Sequence, residues 1–195
     1  MDSAQETYRP SDSTGSYQGS DELRTLIQLC IGKDRRAQKQ LYEKFSPWLY
    51  GMIRRYVFSA DTAQEILNDS FFKILTRLDS YSFTGPFEGW ARRIAINTIT
   101  DYIRKNIKRE QASVALPDEY NIPVPETTIG KMSYKELLEL VHALPEVQRS
   151  VFNLYVFEQF SHKEIGAALD ITENNSRWHL NDARRRLKEK LDSIM

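Results

Sequence analysis

Apolar side chains recur at intervals of three and four along almost the whole of this sequence, and this periodicity restricts the fold more than any other feature. It is the spacing of one face of an α-helix. The first example is formed by Leu23, Leu26, Ile27, Cys30 and Ile31. No stretch shows the strict alternation of apolar and polar residues that marks a half-buried strand. The sequence therefore predicts an all-α fold.

Breaker residues separate the helical segments. Gly32 and Asp34 end the first one, and Pro47 is expected to kink the second or to start a new turn within it. Asp61 or Thr62 is expected to cap the third. The predicted helices span about residues 21–31, 37–56, 62–78, 87–108, 134–143, 146–157, 161–169 and 172–194.

Two stretches lack the helical pattern and divide the chain. Residues 1–20 are rich in Ser, Thr, Gln, Asp, Tyr and Gly. They cannot bury enough apolar surface to offset the entropy of ordering, so we expect a disordered tail. Residues 111–130 hold Pro117, Pro123 and Pro125 without periodicity, which predicts a flexible linker. The sequence thus predicts two small helical domains, residues 21–110 and 131–195.

Charge is balanced over the chain but uneven along it. Lys and Arg together number 27, as do Asp and Glu, so the formal net charge is zero. That balance argues mildly against DNA binding. One helix of each domain is nevertheless basic, through Arg92, Arg93, Arg104, Lys105, Lys108 and Arg109 in the first and Arg177, Arg184, Arg185, Arg186, Lys188 and Lys190 in the second. Each helix is a candidate phosphate-neutralising surface; the alternative is a solvated charged face without a ligand.

Other residue types exclude several classes of protein. The single cysteine, Cys30, rules out an intramolecular disulfide framework and is expected to be a small buried hydrophobe. No run of about eighteen apolar residues is present, so no membrane insertion is expected. No secretory signal is visible, which predicts a cytoplasmic protein. The three histidines are scattered, so neither a metal site nor a cofactor is expected.

The helix predicted at 87–108 carries two stripes. Ile94, Ile99, Ile103 and Ile107 form an apolar one. The neighbouring polar stripe comprises Arg93, Asn97, Thr100, Asp101, Arg104 and Lys108. Such a mixture can contact phosphates while an amide or carboxylate addresses a base edge. Aromatic residues precede the helix, and stacking on them is how single-stranded DNA is commonly bound. Phe87 and Trp90 are expected in the core, and Phe83 is the better candidate for exposure.

The end of the sequence predicts a helix-turn-helix. Ser161 and Glu164 have capping-box spacing, Asp170 and Ile171 form a turn, and Thr172 can cap the next helix. In that helix Ser176, Leu180, Ala183 and Leu187 form the inward stripe. Outward residues near the start of such a helix reach base edges. The candidates are Asn174, Asn175, Arg177, Trp178, Asn181 and Arg184. His179 is expected to be a surface histidine without a role; the alternative is a phosphate contact.

Four segments together resemble one family. Residues 61–74 and 87–105 are similar to region 2 of the sigma-70 family of RNA polymerase sigma factors, in its extracytoplasmic-function (ECF) group. Residues 144–152 and 160–171 are similar to its region 4. The resemblance covers about residues 21–191, with both regions in order. It implies a factor that binds core RNA polymerase, through its clamp and flap regions, and directs initiation at promoter DNA by recognising and melting it. It also implies regulation by an anti-sigma factor.

The resemblance also implies roles for single residues. Asn97 and Asp101 match the pocket for an unstacked base of the minus-ten element, Arg93 and Arg104 match backbone contacts, and residues 81–86 match the specificity loop. Residues matching the clamp-facing surface are Glu65, Asn68, Asp69 and Phe72. Arg177, Trp178, Asn181 and Asp182 fall where the family reads the minus-thirty-five element. Asp170, Ser176, Trp178 and Asp182 depart from the family pattern, and a carboxylate facing phosphate would be unfavourable.

Two alternatives remain at this point. An ordinary helix-turn-helix regulator with an N-terminal sensing domain would explain the second domain but not the clamp-like segment. An enzyme would need a phosphate-cradling glycine loop, a nucleophile elbow or paired carboxylates, and the sequence shows none of these patterns. We therefore expect that the protein is not an enzyme.

Overall fold

The computed structural model describes residues 14–110 and 134–194, and every regular element in those two ranges is helical. The α-helices are α1 (Thr14–Ile31), α2 (Arg35–Arg54), α3 (Ala60–Thr76), α4 (Phe87–Glu110), α5 (Tyr134–His142), α6 (Glu146–Val156), α7 (His162–Leu169) and α8 (Glu173–Ile194), with a 3-10 turn at Leu78–Ser80. The predicted all-α fold is confirmed. The predicted linker, residues 111–130, lies outside the described residues.

Helices α1 to α4 pack around one apolar core, which we call the N-terminal domain. Asp34 caps α2, since its carboxylate accepts hydrogen bonds from the backbone N–H groups of Arg36 and Ala37, both at 2.8 Å. The helix runs on through Pro47, and buries Leu41, Phe45, Leu49 and Ile53 along one side. Cys30 is buried as expected, and burial raises the pKa of its thiol to about 11.

Two helix starts differ from the prediction. Helix α1 begins at Thr14, inside the segment predicted to be a disordered tail. Helix α3 is capped by Ser59, so the prediction of Asp61 or Thr62 as the cap was wrong. The Ser59 backbone is extended and its hydroxyl accepts a hydrogen bond from the Thr62 N–H at 3.2 Å. Asp61 lies instead in the first turn, where the helix dipole favours a carboxylate.

Helices α5 to α8 form the C-terminal domain, in which α8 packs against both α6 and α7. The capping box of Ser161 and Glu164 is present. Asp170 adopts the left-handed conformation with φ 60°, as the predicted turn requires. Gly166 of α7 lets the turn pack closely against the helix, because a Cβ at this position would lie 2.8 Å from the Ile171 carbonyl oxygen. The predicted helix-turn-helix is therefore formed by α7 and α8.

The two domains contact each other directly. Helix α4 packs against α7 and α6, and most of the buried apolar residues of both domains belong to one continuous cluster. The isoleucine stripe of α4 is part of that cluster, with Ile103 and Ile107 buried. Burial of the isoleucine side leaves Arg93, Asn97 and Asp101 of the polar stripe facing outward.

Candidate nucleic-acid and polymerase interfaces

The first candidate surface is the polar face of α4. Arg93, Asn97 and Asp101 are exposed at successive four-residue steps, and Arg104 is half-buried beside them. Thr100, which was predicted on this face, is buried, because it lies one residue nearer the isoleucine side. Lys108 lies further along the same helix, and its side chain is outside the described part of the chain. The α4 face thus brings an amide, a carboxylate and two guanidinium groups together.

Lys73 of α3, which was not among the predicted site residues, also joins this face. Its Nζ lies 3.8 Å from the Asp101 carboxylate and donates a hydrogen bond to Thr98 Oγ1 at 3.2 Å. Asp101 also accepts a hydrogen bond from Arg104 Nη2 at 2.9 Å. The carboxylate is therefore paired with a cation on each side, beside Asn97. Only the packing of α3 on α4 creates this cluster, so local spacing gives no signal for Lys73.

Aromatic side chains cover one end of α4. The Tyr81 ring lies 4.7 Å from that of Phe83 and 5.5 Å from that of Phe87. Phe87 is buried, as predicted, whereas Phe83 is half-buried, with the Arg24 guanidinium 4.9 Å above its ring. Phe83 has a φ of 58°, which is uncommon for a bulky side chain. Burial and, to a smaller extent, Glu88 raise the pKa of Tyr81.

The second candidate surface is the outer face of α8. Asn174 and Arg177 are exposed, and Arg177 forms a 2.5 Å ion pair with Glu173. The Arg184 guanidinium lies 5.6 Å above the Tyr155 ring. Asn175, Trp178 and Asn181 are partly exposed on the same helix. All of the predicted recognition residues therefore retain access to solvent.

Two residues of α8 face inward against expectation. His179 was predicted at the surface but is 4 % exposed, and burial lowers the pKa of its imidazole to about 4. Asp182, whose position suggested an unfavourable phosphate contact, has a side chain that is 8 % exposed. It accepts hydrogen bonds from Gln148 at 3.1 Å, Arg185 at 2.6 Å and Arg186 at 2.7 Å. The carboxylate thus joins α6 to α8 inside the C-terminal domain.

The environment of Asp182 keeps it ionised. Burial alone would raise the pKa of this carboxyl, but the hydrogen bonds from Arg186, Arg185 and Gln148 outweigh burial and leave the pKa below its ordinary value. Ser176, the other departure on the inward stripe, is fully buried and lies with its Oγ 3.0 Å from His162 Nδ1. The polar groups of Asp182 and Ser176, which depart from the family pattern, therefore have hydrogen-bond partners inside the C-terminal domain.

The third candidate surface lies on α3. Glu65, Asn68, Asp69 and Phe72 are all exposed, at the spacing of one helix face. Phe72 is 70 % exposed. The opposite side of α3 is buried, including Phe71 and Ile74. A large apolar ring standing in solvent among acidic and amide side chains is typical of a protein-binding surface.

These features define a two-domain helical protein with a polar helical face in each domain, one of them on a helix-turn-helix. Family models describe the same two parts. The model "Sigma-70 region 2" matches residues 41–109. The model "Sigma-70, region 4" matches residues 134–187. No helix within the described ranges has the length and apolar character that crossing a bilayer demands.

Relatives from other bacteria are also sigma factors. An RNA polymerase sigma-E factor of Streptomyces avermitilis is 30% identical over 140 residues, covering 72% of this chain and 76% of the relative. The ECF RNA polymerase sigma-E factor of Escherichia coli is 24% identical and covers 92% and 98%. Among solved structures, the sigma factor RpoE of Bartonella quintana, in complex with the anti-sigma factor NepR, shares 21% identity with a TM-score of 0.48, covering 79% of this chain and 96% of that one.

The chain belongs to the sigma-70 family of RNA polymerase sigma factors, in its ECF group. It acts as a promoter-specific transcription initiation factor, with core RNA polymerase and promoter DNA as its partners. The family consists of regulatory transcription factors rather than enzymes. The alternative of a regulator with an N-terminal sensing domain is excluded, because the N-terminal domain matches region 2.

Proposed function

We propose that this sigma factor opens promoters by capturing an unpaired base on the polar face of α4 while α8 reads the duplex of the minus-thirty-five element. The observation that carries the proposal is the exposure of Asn97 between Arg93 and Asp101, on a helix whose other side is buried. The buried side fixes the helix, so the three side chains project from a rigid support.

Each group on the α4 face suits one part of that task. The Asn97 amide can donate to and accept from a base edge, and Arg93, Arg104 and Lys108 can neutralise phosphates. Asp101 is held between Lys73 and Arg104, so it can accept a hydrogen bond without leaving an unpaired charge. Phe83 offers a ring on which a base can stack. Unstacking a base costs a few kcal/mol, which these contacts offset.

On α8 the amides of Asn174, Asn175 and Asn181 suit adenine, while Arg177 and Arg184 suit guanine or phosphate. Trp178 adds apolar contact area. The face of α3 formed by Glu65, Asn68, Asp69 and Phe72 is the proposed contact with the polymerase clamp, with Phe72 as its anchor. Family membership further supports an anti-sigma factor as a regulator, a cytoplasmic location and a protein without catalytic activity of its own.

The role of Asn97 is tested with Asn97→Ala in transcription reconstituted with core polymerase. Removing a base contact worth about 1–3 kcal/mol should lower open-complex formation roughly tenfold. Permanganate reactivity of unpaired thymines measures opening, and footprinting measures duplex binding. Gln40→Ala removes an exposed amide from α2 and should change neither. Equal losses of opening and of duplex binding in Asn97→Ala would contradict the assigned role.

A further inference from the structure

Phe83, in the loop that leads into α4, has a backbone conformation that its side chain does not favour. Its φ of 58° lies in the left-handed region, which glycine adopts freely but where a bulky residue is an outlier. Gly85, two residues later, does not have a positive φ. A strained residue keeps such a conformation only where its surroundings determine it, and strain of this kind clusters at functional sites. Contacts with neighbouring groups must therefore hold Phe83 in place.

The loop around Phe83 is closed by its own side chains. Tyr81 Oη donates a hydrogen bond to the Gly85 carbonyl oxygen at 2.5 Å. The hydroxyl oxygens of Ser82 and Thr84, on either side of Phe83, lie 2.8 Å apart. The Tyr81 ring contacts the Phe83 ring with the two ring planes tilted by 50°. These contacts restrain the loop backbone and place one aromatic side chain against Phe83.

Helix α1 supplies a further contact from outside the loop. It packs against the 3-10 turn Leu78–Ser80, which leads directly into the loop. From this helix the Arg24 guanidinium lies 4.9 Å above the centroid of the Phe83 ring. A cation over the face of an aromatic ring is attracted by the electron density of that face. Because the Phe83 side chain is only half-buried, Arg24 can hold the ring while part of it stays accessible.

We propose that Arg24 is a positioning residue of base capture, which holds Phe83 in its left-handed conformation and so presents the ring to the unstacked base of the minus-ten element. The inference rests on the proposed function, because it takes Phe83 as the ring on which that base stacks. Without the cation over its ring, Phe83 can relax to an unstrained backbone, and the ring then leaves the position in which a base meets it. A ring that is already in place costs less ordering when the base binds.

The test uses the full-length chain bound to core polymerase, with single-stranded oligonucleotides of the minus-ten element. One base at a time is replaced by an abasic site, and fluorescence anisotropy measures the affinity. The position where loss of the base weakens binding by the parent most is the captured position. The ratio of the affinities for the intact and the abasic oligonucleotide at this position measures the contribution of the base and leaves out the phosphate contacts.

Arg24→Gln should lower this ratio about two- to fivefold, which is the effect of losing a cation–π contact at an exposed site. Arg24→Lys keeps a cation over the ring and should retain most of the ratio. Arg36→Gln removes the same charge from an exposed position on α2 and should leave the ratio unchanged. Circular dichroism should show the helix content and Tm of the parent in all three variants, because both arginines are exposed.

Phe83→Leu separates positioning from a direct contact of Arg24 with DNA. Leu has no aromatic ring but is equally bulky at a positive φ, so Arg24→Gln should cause no further loss in this background. A further loss of the same size would show that Arg24 does not act through the ring, and the proposal would be wrong. Equal weakening by Arg24→Gln on the intact and the abasic oligonucleotide would also overturn it, because it would show a contact with phosphate alone.

Asn97→Ala distinguishes failure of this inference from failure of the proposed function. If Asn97→Ala lowers the affinity ratio but Arg24→Gln does not, base capture stands and the positioning role of Arg24 is refuted. If no abasic site weakens binding by the parent, base capture itself fails, and the proposed function is overturned together with the inference.

Discussion

Replacing His179 by Leu isolates the contribution of one buried imidazole to the pH dependence of stability. His179 is 4 % exposed, and neither ring nitrogen has a hydrogen-bond partner among the described residues. Its ring packs edge-on against Trp178 at 4.9 Å. Leu supplies apolar volume without a polar atom, so the variant should fold, and above pH 7 it should be as stable as the parent or slightly more stable.

The magnitude follows from the shifted pKa. Burial lowers the pKa of His179 from 6.5 to about 4, and the attraction of Asp182 offsets only part of that effect. In the unfolded chain the imidazole titrates near its ordinary pKa, so between these two values the unfolded state binds more protons than the folded state. The contribution to stability is therefore present above pH 6.5 and is lost as the pH falls, by up to about 1.4 kcal/mol per unit. Between pH 7 and pH 5 the loss amounts to about 2 kcal/mol.

Urea unfolding from pH 5 to pH 7.5, followed by circular dichroism, measures this loss. The parent should lose about 2 kcal/mol more than His179→Leu over the range. Burial also lowers the pKa values of His142 and His162, but both are present in the two proteins, so the difference between the curves isolates His179. A difference that stays constant with pH would refute the account of a buried, neutral imidazole.

Three further changes test other parts of the structure. Gly166→Ala should destabilise the C-terminal domain by about 2 kcal/mol in thermal unfolding, because the new Cβ would lie 2.8 Å from the backbone of the turn. The control Gly89→Ala should be neutral or stabilising, because nothing lies within 4 Å of the new Cβ. Phe72→Ala should weaken the capture of core polymerase more than tenfold without changing Tm. The control Leu29→Ala, which truncates a side chain that is 51 % exposed, should change neither the capture of polymerase nor Tm. Asp182→Asn should lower the free energy of unfolding by about 3 kcal/mol at pH 7. Because the pKa of Asp182 is lowered in the folded state, the difference in stability between parent and variant should shrink as the pH falls through that pKa. A difference that stays constant with pH would contradict this prediction.

Periodicity and capping predicted most of the secondary structure, because they depend on residues close together in the sequence. The capping box at Ser161, the left-handed Asp170 and the continuous α4 all follow from spacings of a few residues. The burial of Phe87 follows in the same way. Periodicity did not predict the start of α1 at Thr14, since the segment before Asp21 carries almost no apolar signal.

Contacts between residues on different helices depend on tertiary packing, and local spacing could not predict them. Lys73 reaches Asp101 only because α3 lies against α4. His179 and Asp182 are polar residues on a basic helix, and nothing in the neighbouring sequence shows that α6 covers one side of it. For the same reason the buried Glu158, which pairs with Arg55 and Arg92 of the N-terminal domain, was not singled out: these partners are separated from it by 103 and 66 positions.

The zero net charge of this DNA-binding chain has a structural explanation in the same contacts. Asp182 and Glu158 are buried against arginines, so their negative charge is neutralised inside the molecule rather than opposing DNA at its surface. The exposed Arg93 and Arg177 remain on the reading faces. Salt should therefore weaken the buried carboxylate–arginine pairs much less than the contacts of exposed arginines with phosphate, because buried pairs are screened much less. Raising salt from 50 to 200 mM should therefore weaken promoter binding steeply while leaving the radius of gyration of the free chain almost unchanged, and an expansion over that range would show that the Glu158 pairs are accessible to solvent.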